Sequence, residues 1–301
     1  MIKKYFYFLF GLISFFPTNV MADEPEIPDA ETIAYYRDLL SKNITKVRTS
    51  CADIKKELDI LFGLTTVTAI SSGIGTATAG GALAAGLVKS NYDYKLDAET
   101  LEKSPKVFGE NWDKLHDDMI ASMQKKSHNL GNLRTGLMAG SFATSTVSTG
   151  TSIASSVNAK KLGEKMEQCN KAINTLKYSI ADIKAQDFPS NTIDTTTADN
   201  ITSNCTGFDT ENIKTLRNTM TTSAVASGVG VATGMAGVIT SALANNHNIK
   251  DNDKTKKLNV ASNVLAGITT GTSATSTIFS ANAISKAKKD SEMAEKCENS
   301  L

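Results

Sequence analysis

Four long runs of this sequence contain no aspartate, glutamate, lysine or arginine. They cover 60–88, 135–159, 218–249 and 258–285, and each is 25 to 32 residues long. A helix on the surface of a soluble protein carries charge on its wet face. These runs must therefore be buried against protein, buried in lipid, or exposed to water through hydroxyl groups alone.

Helices fit the four runs better than strands do. None of the runs contains proline, which disrupts a helix interior, and none alternates strictly between polar and apolar residues. Val67, Ile70 and Ile74 follow the helical spacing instead. We therefore predict an all-α fold.

Comparison of the chain with itself indicates a tandem duplication. Segment 69–78 matches 224–233 in the pattern Ser-Gly-(Ile/Val)-Gly-x-Ala-Thr, and 143–147 matches 274–278. Each copy has the order cysteine, long arm, tip, long arm, cysteine. This order predicts two antiparallel helical hairpins, each closed at its base by a disulfide, packed together as a long helical bundle.

The cysteines indicate disulfides rather than a metal site or a cofactor site. An even number of cysteines in an exported chain favours disulfide bonds, and no CxxC pair is present. The favoured pairing is Cys51–Cys169 with Cys205–Cys297. The alternative, Cys169–Cys205 with Cys51–Cys297, would join the two hairpins to each other.

The start of the chain has the layout of a secretory signal. Lys3 and Lys4 precede a short apolar run, and small residues end at Ala22, which is the expected last residue before cleavage. An uncleaved membrane anchor is the alternative. We therefore expect the protein to be exported to the periplasm, the cell envelope or the extracellular space.

The remaining chain divides into four parts, with a further helix expected at 171–184. They are an N-terminal segment with a short helix (23–50), the first hairpin (51–185) with a tip insertion (89–134), a linker (186–204) and the second hairpin (205–301).

Small residues recur every four positions along both outgoing arms. Such stripes allow helix backbones to approach closely, so we expect these residues at helix–helix contacts. They are Gly73, Ala77, Gly81 and Ala85 in the first hairpin, and Ala226, Gly230 and Gly234 in the second.

The two arms of each hairpin differ in composition. The returning arms are rich in hydroxyls, with 11 Ser or Thr among the 25 residues of 135–159 and 10 among the 28 residues of 258–285. The outgoing arms are apolar and long enough to span a bilayer, whereas the returning arms are not apolar enough to do so alone. We expect the returning arms to face water or partners.

The tip insertion contains an apolar helical face that is a candidate partner-binding surface. Its spacing is helical, and an amphipathic helix with Trp also suits a lipid surface. The alternative is that it caps the end of its own bundle. The face consists of Phe108, Trp112, Leu115, Met119 and Met123.

Catalytic and nucleic-acid signals are absent from the sequence. A formal net charge of +1 gives no bulk attraction to nucleic acid, and no nucleophile elbow, phosphate loop or histidine ligand pair occurs. The leading hypothesis is a non-enzymatic exported protein that associates with membrane lipid and forms a homo-oligomer. The alternative is a soluble helical-bundle module that binds a protein partner through the first tip.

Overall fold

The computed structural model of the chain describes residues 29–101, 110–186, 188, 192–246 and 252–301, with the backbone alone at 98–101, 110–113 and 252. The predicted secretory signal, 1–22, lies outside these residues. The described residues form six helices and no strand, which confirms the all-α prediction. The helices are α1 (Ala30–Cys51), α2 (Ile54–Leu101), α3 (Glu110–Ala185), α4 (Thr196–Asn204), α5 (Thr210–Ala244) and α6 (Asn252–Glu298).

Four of the helices form one long antiparallel bundle. Helix α2 packs against α3 and α6, and α5 packs against the same two helices, while the diagonal pairs α2/α5 and α3/α6 barely touch. The hairpins α2/α3 and α5/α6 are the two predicted ones. Their origin by duplication stays a hypothesis from the sequence.

Both disulfides close a hairpin on itself. Cys51 is bonded to Cys169 and Cys205 to Cys297, with Cα–Cα distances of 4.8 Å and 4.4 Å. This is the favoured pairing of the sequence analysis. All four cysteines are buried in one apolar cluster, and we call this end of the molecule, with α1 and α4, the base.

Helix α3 is longer than the sequence analysis predicted. Its 76 residues span about 114 Å at 1.5 Å per residue. The helix expected at 171–184 is its C-terminal end, and the described part of the tip insertion continues α2 and α3 rather than forming a separate helix. No proline falls within 110–185 to interrupt it.

The N-terminal and linker segments are also more helical than expected. Helix α1 begins after Asp29, whose side chain accepts a 2.7 Å hydrogen bond from the backbone N–H of Thr32, and it packs on α3. Within the predicted linker, the last nine residues form α4. Gly207 then turns the chain into α5 with a φ of 109°, a conformation that favours glycine.

Buried positions on α3 follow a coiled-coil spacing from one end of the bundle to the other. Successive buried positions are alternately three and four residues apart, which is the spacing of the contact positions in a coiled coil. Near the base these positions hold Leu, Met and Ile, and farther along they hold serine. In chain order they include Arg134, Met138, Ser141, Ser145, Ser148, Ser152, Ser155, Ala159, Leu162, Met166, Cys169, Ile173, Leu176, Ile180 and Ile183.

Candidate functional site

Serine is the most frequent residue in the buried interior of the charge-free part of the bundle, beside Ala, Gly, Thr and a small apolar cluster of Ala82, Met138 and Ala266. We call this part the stem, and it comprises 60–88, 135–159, 218–244 and 258–285. A water-soluble bundle buries large apolar side chains along this seam. Here the buried seam holds Ser71, Ser72, Ser141, Ser145, Ser148, Ser152, Ser155, Ser223, Ser227, Ser241, Ser262, Ser273, Ser276 and Ser280.

Six of the buried serine hydroxyls bond to one another across helices, whereas those of Ser145 and Ser262 have no hydrogen-bond partner among the described residues. Ser276 Oγ on α6 lies 2.7 Å from Ser223 Oγ and 2.8 Å from Ser227 Oγ on α5. Ser227 Oγ lies in turn 2.8 Å from Ser148 Oγ on α3. The hydroxyls therefore join three helices in one network.

Further hydroxyl pairs connect α2 to the same bundle. Thr68 donates to Thr151 on α3 at 2.7 Å, and Thr277 on α6 donates to Ser72 at 3.1 Å. All four stem helices are thus joined by side-chain hydrogen bonds in the interior, where water does not compete for the donors and acceptors.

The outside of the stem is apolar. We call its outward surface, over 60–88, 136–157, 225–243 and 260–278, the band. Large exposed aliphatic or Met side chains come from every helix of the band. They are Ile60, Val67, Ile70, Ile74, Leu87 and Val88 on α2, Val147, Ile153 and Val157 on α3, Val225, Val229, Met235, Ile239 and Leu243 on α5, and Val260, Val264, Ile268 and Ile278 on α6.

Polar side chains are almost missing from the band. Within these four ranges, all of which the structure describes, Thr146 and Thr275 are the only exposed polar residues. Each hydroxyl donates to the backbone carbonyl four residues earlier, at 2.9 Å and 2.8 Å. Neither hydroxyl therefore depends on water for a hydrogen-bond acceptor.

The expectation that the returning arms present hydroxyls to water or partners is wrong. Most hydroxyls of α3 and α6 in the stem are buried or half-buried, and the exposed positions are mainly Val, Ile, Ala and Gly. Composition alone misled the sequence analysis, because a hydroxyl-rich helix can turn its hydroxyls inward. The three-and-four spacing of the α3 serines was the signal that could have indicated this.

The height of the band matches the apolar core of a bilayer. Val225–Leu243 on α5 and Val260–Ile278 on α6 each rise about 27 Å at 1.5 Å per residue. The hydrocarbon core of a typical bilayer is about 30 Å thick. On α2 the band is longer, about 42 Å, because it starts at Ile60.

A buried polar cluster closes the stem on the tip side. Arg134 is 1% exposed, and its guanidinium donates to Ser241 at 3.1 Å and to Asn259 at 3.3 Å. The Asn259 amide donates to Asp93 at 3.1 Å, and Lys89 forms a 2.6 Å ion pair with the same carboxylate. The sequence analysis did not identify this cluster, because its members are far apart in the chain.

The predicted small-residue stripes lie only partly at helix contacts. On α5, a Cβ added to Gly230 would lie 3.1 Å from Ser145, and one added to Gly234 would lie 3.3 Å from Phe142, while Ala226 is half-buried. On α2, Gly81 and Ala85 pack inward.

Gly73 and Ala77 lie outside the helix interfaces of α2. A Cβ added to Gly73 would meet nothing within 4 Å, and Ala77 is exposed. The reason is geometric. A four-residue step overshoots one turn of 3.6 residues by about 40°, so a stripe of four such residues drifts off the interface.

The candidate partner-binding face is described only in part. Leu115 and Met119 are exposed and Met123 is half-buried. The structure gives only the backbone of Trp112, and Phe108 lies outside the described residues. A partner for this face stays a prediction.

Neither the comparisons with known proteins nor the metal-binding residue types among the described residues assign a function to the chain. No protein-family model, curated protein or solved structure matches the chain. Among the described residues, no group of three or more His, Cys, Asp or Glu could hold a metal ion.

Among the described residues, two helical stretches are long and apolar enough to cross a membrane, one within Ala30–Asp97 and one within Thr210–Ala244. Only 33% and 28% of the residues in their most apolar windows are buried. The core helix of a soluble protein passes the same test of length and composition, but most of its residues are buried.

Proposed function

We propose that the protein is a non-enzymatic, exported membrane protein whose stem inserts into a bilayer as a four-helix bundle. The main observation in support is the reversed polarity of the stem, which buries many serines and exposes aliphatic side chains. In water this arrangement would leave the large apolar groups exposed and gain little from burying serine. In lipid the same outer surface is favourable.

The packing of the stem supports the same proposal. Between helices in lipid there is no hydrophobic driving force, so association depends on close packing of small residues and on hydrogen bonds between helices. The stem has both, in Gly230 and Gly234 and in the network around Ser276. The hydroxyl-rich helices α3 and α6 then span the bilayer within the bundle, although their composition does not favour spanning alone.

Two features of the base support its location outside the bilayer. Its interior is apolar and its disulfides indicate an oxidising compartment, either extracellular or periplasmic. The base is therefore a conventional water-soluble region attached to a lipid-facing stem.

Retention by membranes after carbonate treatment tests the proposal. The full chain is produced in a bacterial host, and its membranes are washed with alkaline carbonate. A double variant, Met235→Lys with Ile268→Lys, places two charges at mid-height of the band on exposed positions. Each buried charge costs about 3 kcal/mol near the centre of a spanning helix, so the variant should leave the membrane fraction while wild type stays.

A matched control carries the same two charges beyond the band. Thr222→Lys with Asn282→Lys uses exposed positions on the same two helices at the base-side end of the stem. A lysine there can extend its charge into the headgroup layer, so this variant should be retained like wild type. Extraction of wild type by carbonate would contradict insertion and favour the soluble, partner-binding module. Equal retention of all three proteins would show that the N-terminal segment, not the stem, holds the chain in the membrane.

A further inference from the structure

Basic residues are concentrated where the stem meets the base. The two turns next to the stem on α2, α3, α5 and α6 (54–59, 160–166, 211–217 and 286–292) contain ten basic and six acidic residues, a net charge of +4. We call eight of the basic residues, all except Lys55 and Lys165, the collar. They are Lys56, Lys160, Lys161, Lys214, Arg217, Lys286, Lys288 and Lys289.

The collar charges are available to an external partner. Seven of the eight side chains belong to exposed residues, and Lys286 is half-buried. Among the described residues, none of the eight has a carboxylate within ion-pair distance. Two of the six acidic residues are neutralised by the lysines outside the collar, since Asp59 pairs with Lys55 at 3.0 Å and Glu57 with Lys165 at 2.9 Å. The eight collar residues therefore still outnumber the four remaining acidic residues, which are Glu164, Glu211, Asp290 and Glu292.

The tip-side edge of the stem is arranged differently. There Arg134 is buried, Lys89 is paired with Asp93 at 2.6 Å, and Lys256 is paired with Asp97 at 2.6 Å. Exposed lysines without an ion pair among the described residues occur at that edge too, at Lys95 and Lys257. They are fewer than at the base-side edge, where all eight collar residues lack an ion pair.

Measured from the last exposed aliphatic residue of each helix, the backbone of the collar residues extends from the headgroup layer to a few ångströms beyond it. Lys160 lies three residues beyond Val157, the last exposed aliphatic of α3, which is about 4.5 Å along the helix. Arg217 precedes Val225 by eight residues, about 12 Å. The polar layer on each side of the hydrocarbon core is roughly 5 to 8 Å thick, and long basic side chains extend from apolar surface toward such a layer.

Part of the collar lines a groove between α3 and α5. The groove measures about 470 Å³, and Lys160, Lys214 and Arg217 contribute to its wall. Glu164 and Glu167 also line it, but Glu167 forms a 2.8 Å ion pair with Lys171.

We propose that the collar binds the phosphate headgroups of anionic lipids and holds the base against a negatively charged leaflet. This inference rests on the proposed insertion of the stem. Each Lys or Arg near a negatively charged membrane surface contributes favourably to binding, and the collar supplies several around the bundle.

Lipid titration followed by native mass spectrometry tests the collar. The full chain in detergent is titrated with phosphatidylglycerol or phosphatidylcholine, and the dissociation constant of the first bound lipid is measured. Wild type should bind phosphatidylglycerol roughly tenfold more tightly or better, an effect of the size expected from a few basic groups at a surface. The triple variant Lys160→Gln, Arg217→Gln, Lys288→Gln should lose that preference.

A charge-matched control separates the collar from net charge. Lys95→Gln, Lys125→Gln, Lys126→Gln removes three exposed lysines at the tip and should keep the preference of wild type. No preference in wild type, its survival in the collar variant, or its equal loss in the control would each overturn the proposal. Carbonate-resistant retention in pure phosphatidylcholine vesicles tests insertion separately, so the two proposals can fail independently.

Discussion

Asp290 is a buried carboxylate in the apolar interior of the base. It is 0% exposed, and neither carboxylate oxygen has a hydrogen-bond partner among the described residues. Burial raises the pKa of Asp290 to about 6, and the charge of Asp209 adds to the increase, while Lys289 and Lys286 oppose it. This burial is not evident from the sequence, because an aspartate that directly follows two lysines is ordinarily a solvated surface residue.

The stability of the base should therefore fall as the pH rises from about 4 to about 6. The folded state keeps the proton of Asp290 over this interval, while the unfolded chain releases it near pH 4. The loss amounts to roughly 3 kcal/mol above pH 6, from a shift of about two pH units at 1.36 kcal/mol each. Thermal unfolding in detergent, followed by circular dichroism across this pH range, measures it.

Substitution of Asp290 should remove the pH dependence. Leu162 occupies the corresponding position of the first hairpin, because it directly follows Lys160 and Lys161 as Asp290 follows Lys288 and Lys289. Leu162 is buried. Asp290→Leu should therefore be more stable than wild type at neutral pH and show a flatter profile between pH 4 and 6. Asp59→Asn, at an exposed ion pair, should keep the wild-type profile, and an unchanged profile in Asp290→Leu would refute this assignment.

At the scale of the helices, the sequence predicts which segments are helical but not which face of each helix is exposed. The absence of charge from 60–88 and 218–249, with no proline, was enough to identify the arms. The direction of the hydroxyls depends on packing against two neighbouring helices. Only the three-and-four spacing of Ser141, Ser145 and Ser148 carries that information, and composition hides it.

The helices of the tip insertion, 89–134, were predicted less well than the arms. A helix that continues for 76 residues has no internal stop signal, so its ends were interpreted as separate helices. The predicted apolar face around Leu115 follows from helical spacing and does not depend on where α3 begins.

Two glycines of α5 should respond in opposite ways to the same substitution. A Cβ at Gly234 would lie 3.3 Å from the Cα of Phe142, so Gly234→Ala should push α3 and α5 apart and destabilise the stem. A Cβ at Gly228 meets nothing within 4 Å, so Gly228→Ala should stabilise α5 by up to about 1 kcal/mol. Thermal unfolding in detergent compares the two variants, and a stabilising Gly234→Ala would contradict the packing described for the stem.

At the scale of the whole molecule, two parts with opposite polarity share one set of helices. In the base, Leu58, Leu162 and Ile213 are buried and the disulfides are enclosed with them. In the stem, the same helices bury serine and expose aliphatic residues. The sequence predicted the disulfide pairing because each cysteine pair brackets one hairpin, whereas the change from an apolar to a hydroxyl interior became visible only with the fold.

Lipid exposure of the stem is the central claim, and spin labels on its outward surface test it directly. Single cysteines replace Ile74, Val147, Val229 and Ile268, one exposed position on each helix, with Lys288 as the control outside the band. The native disulfides stay oxidised during labelling. In reconstituted vesicles, the four band labels should collide readily with oxygen and rarely with a water-soluble nickel chelate, while the label at Lys288 shows the reverse. Ready access of the nickel chelate to all four band positions would contradict the account.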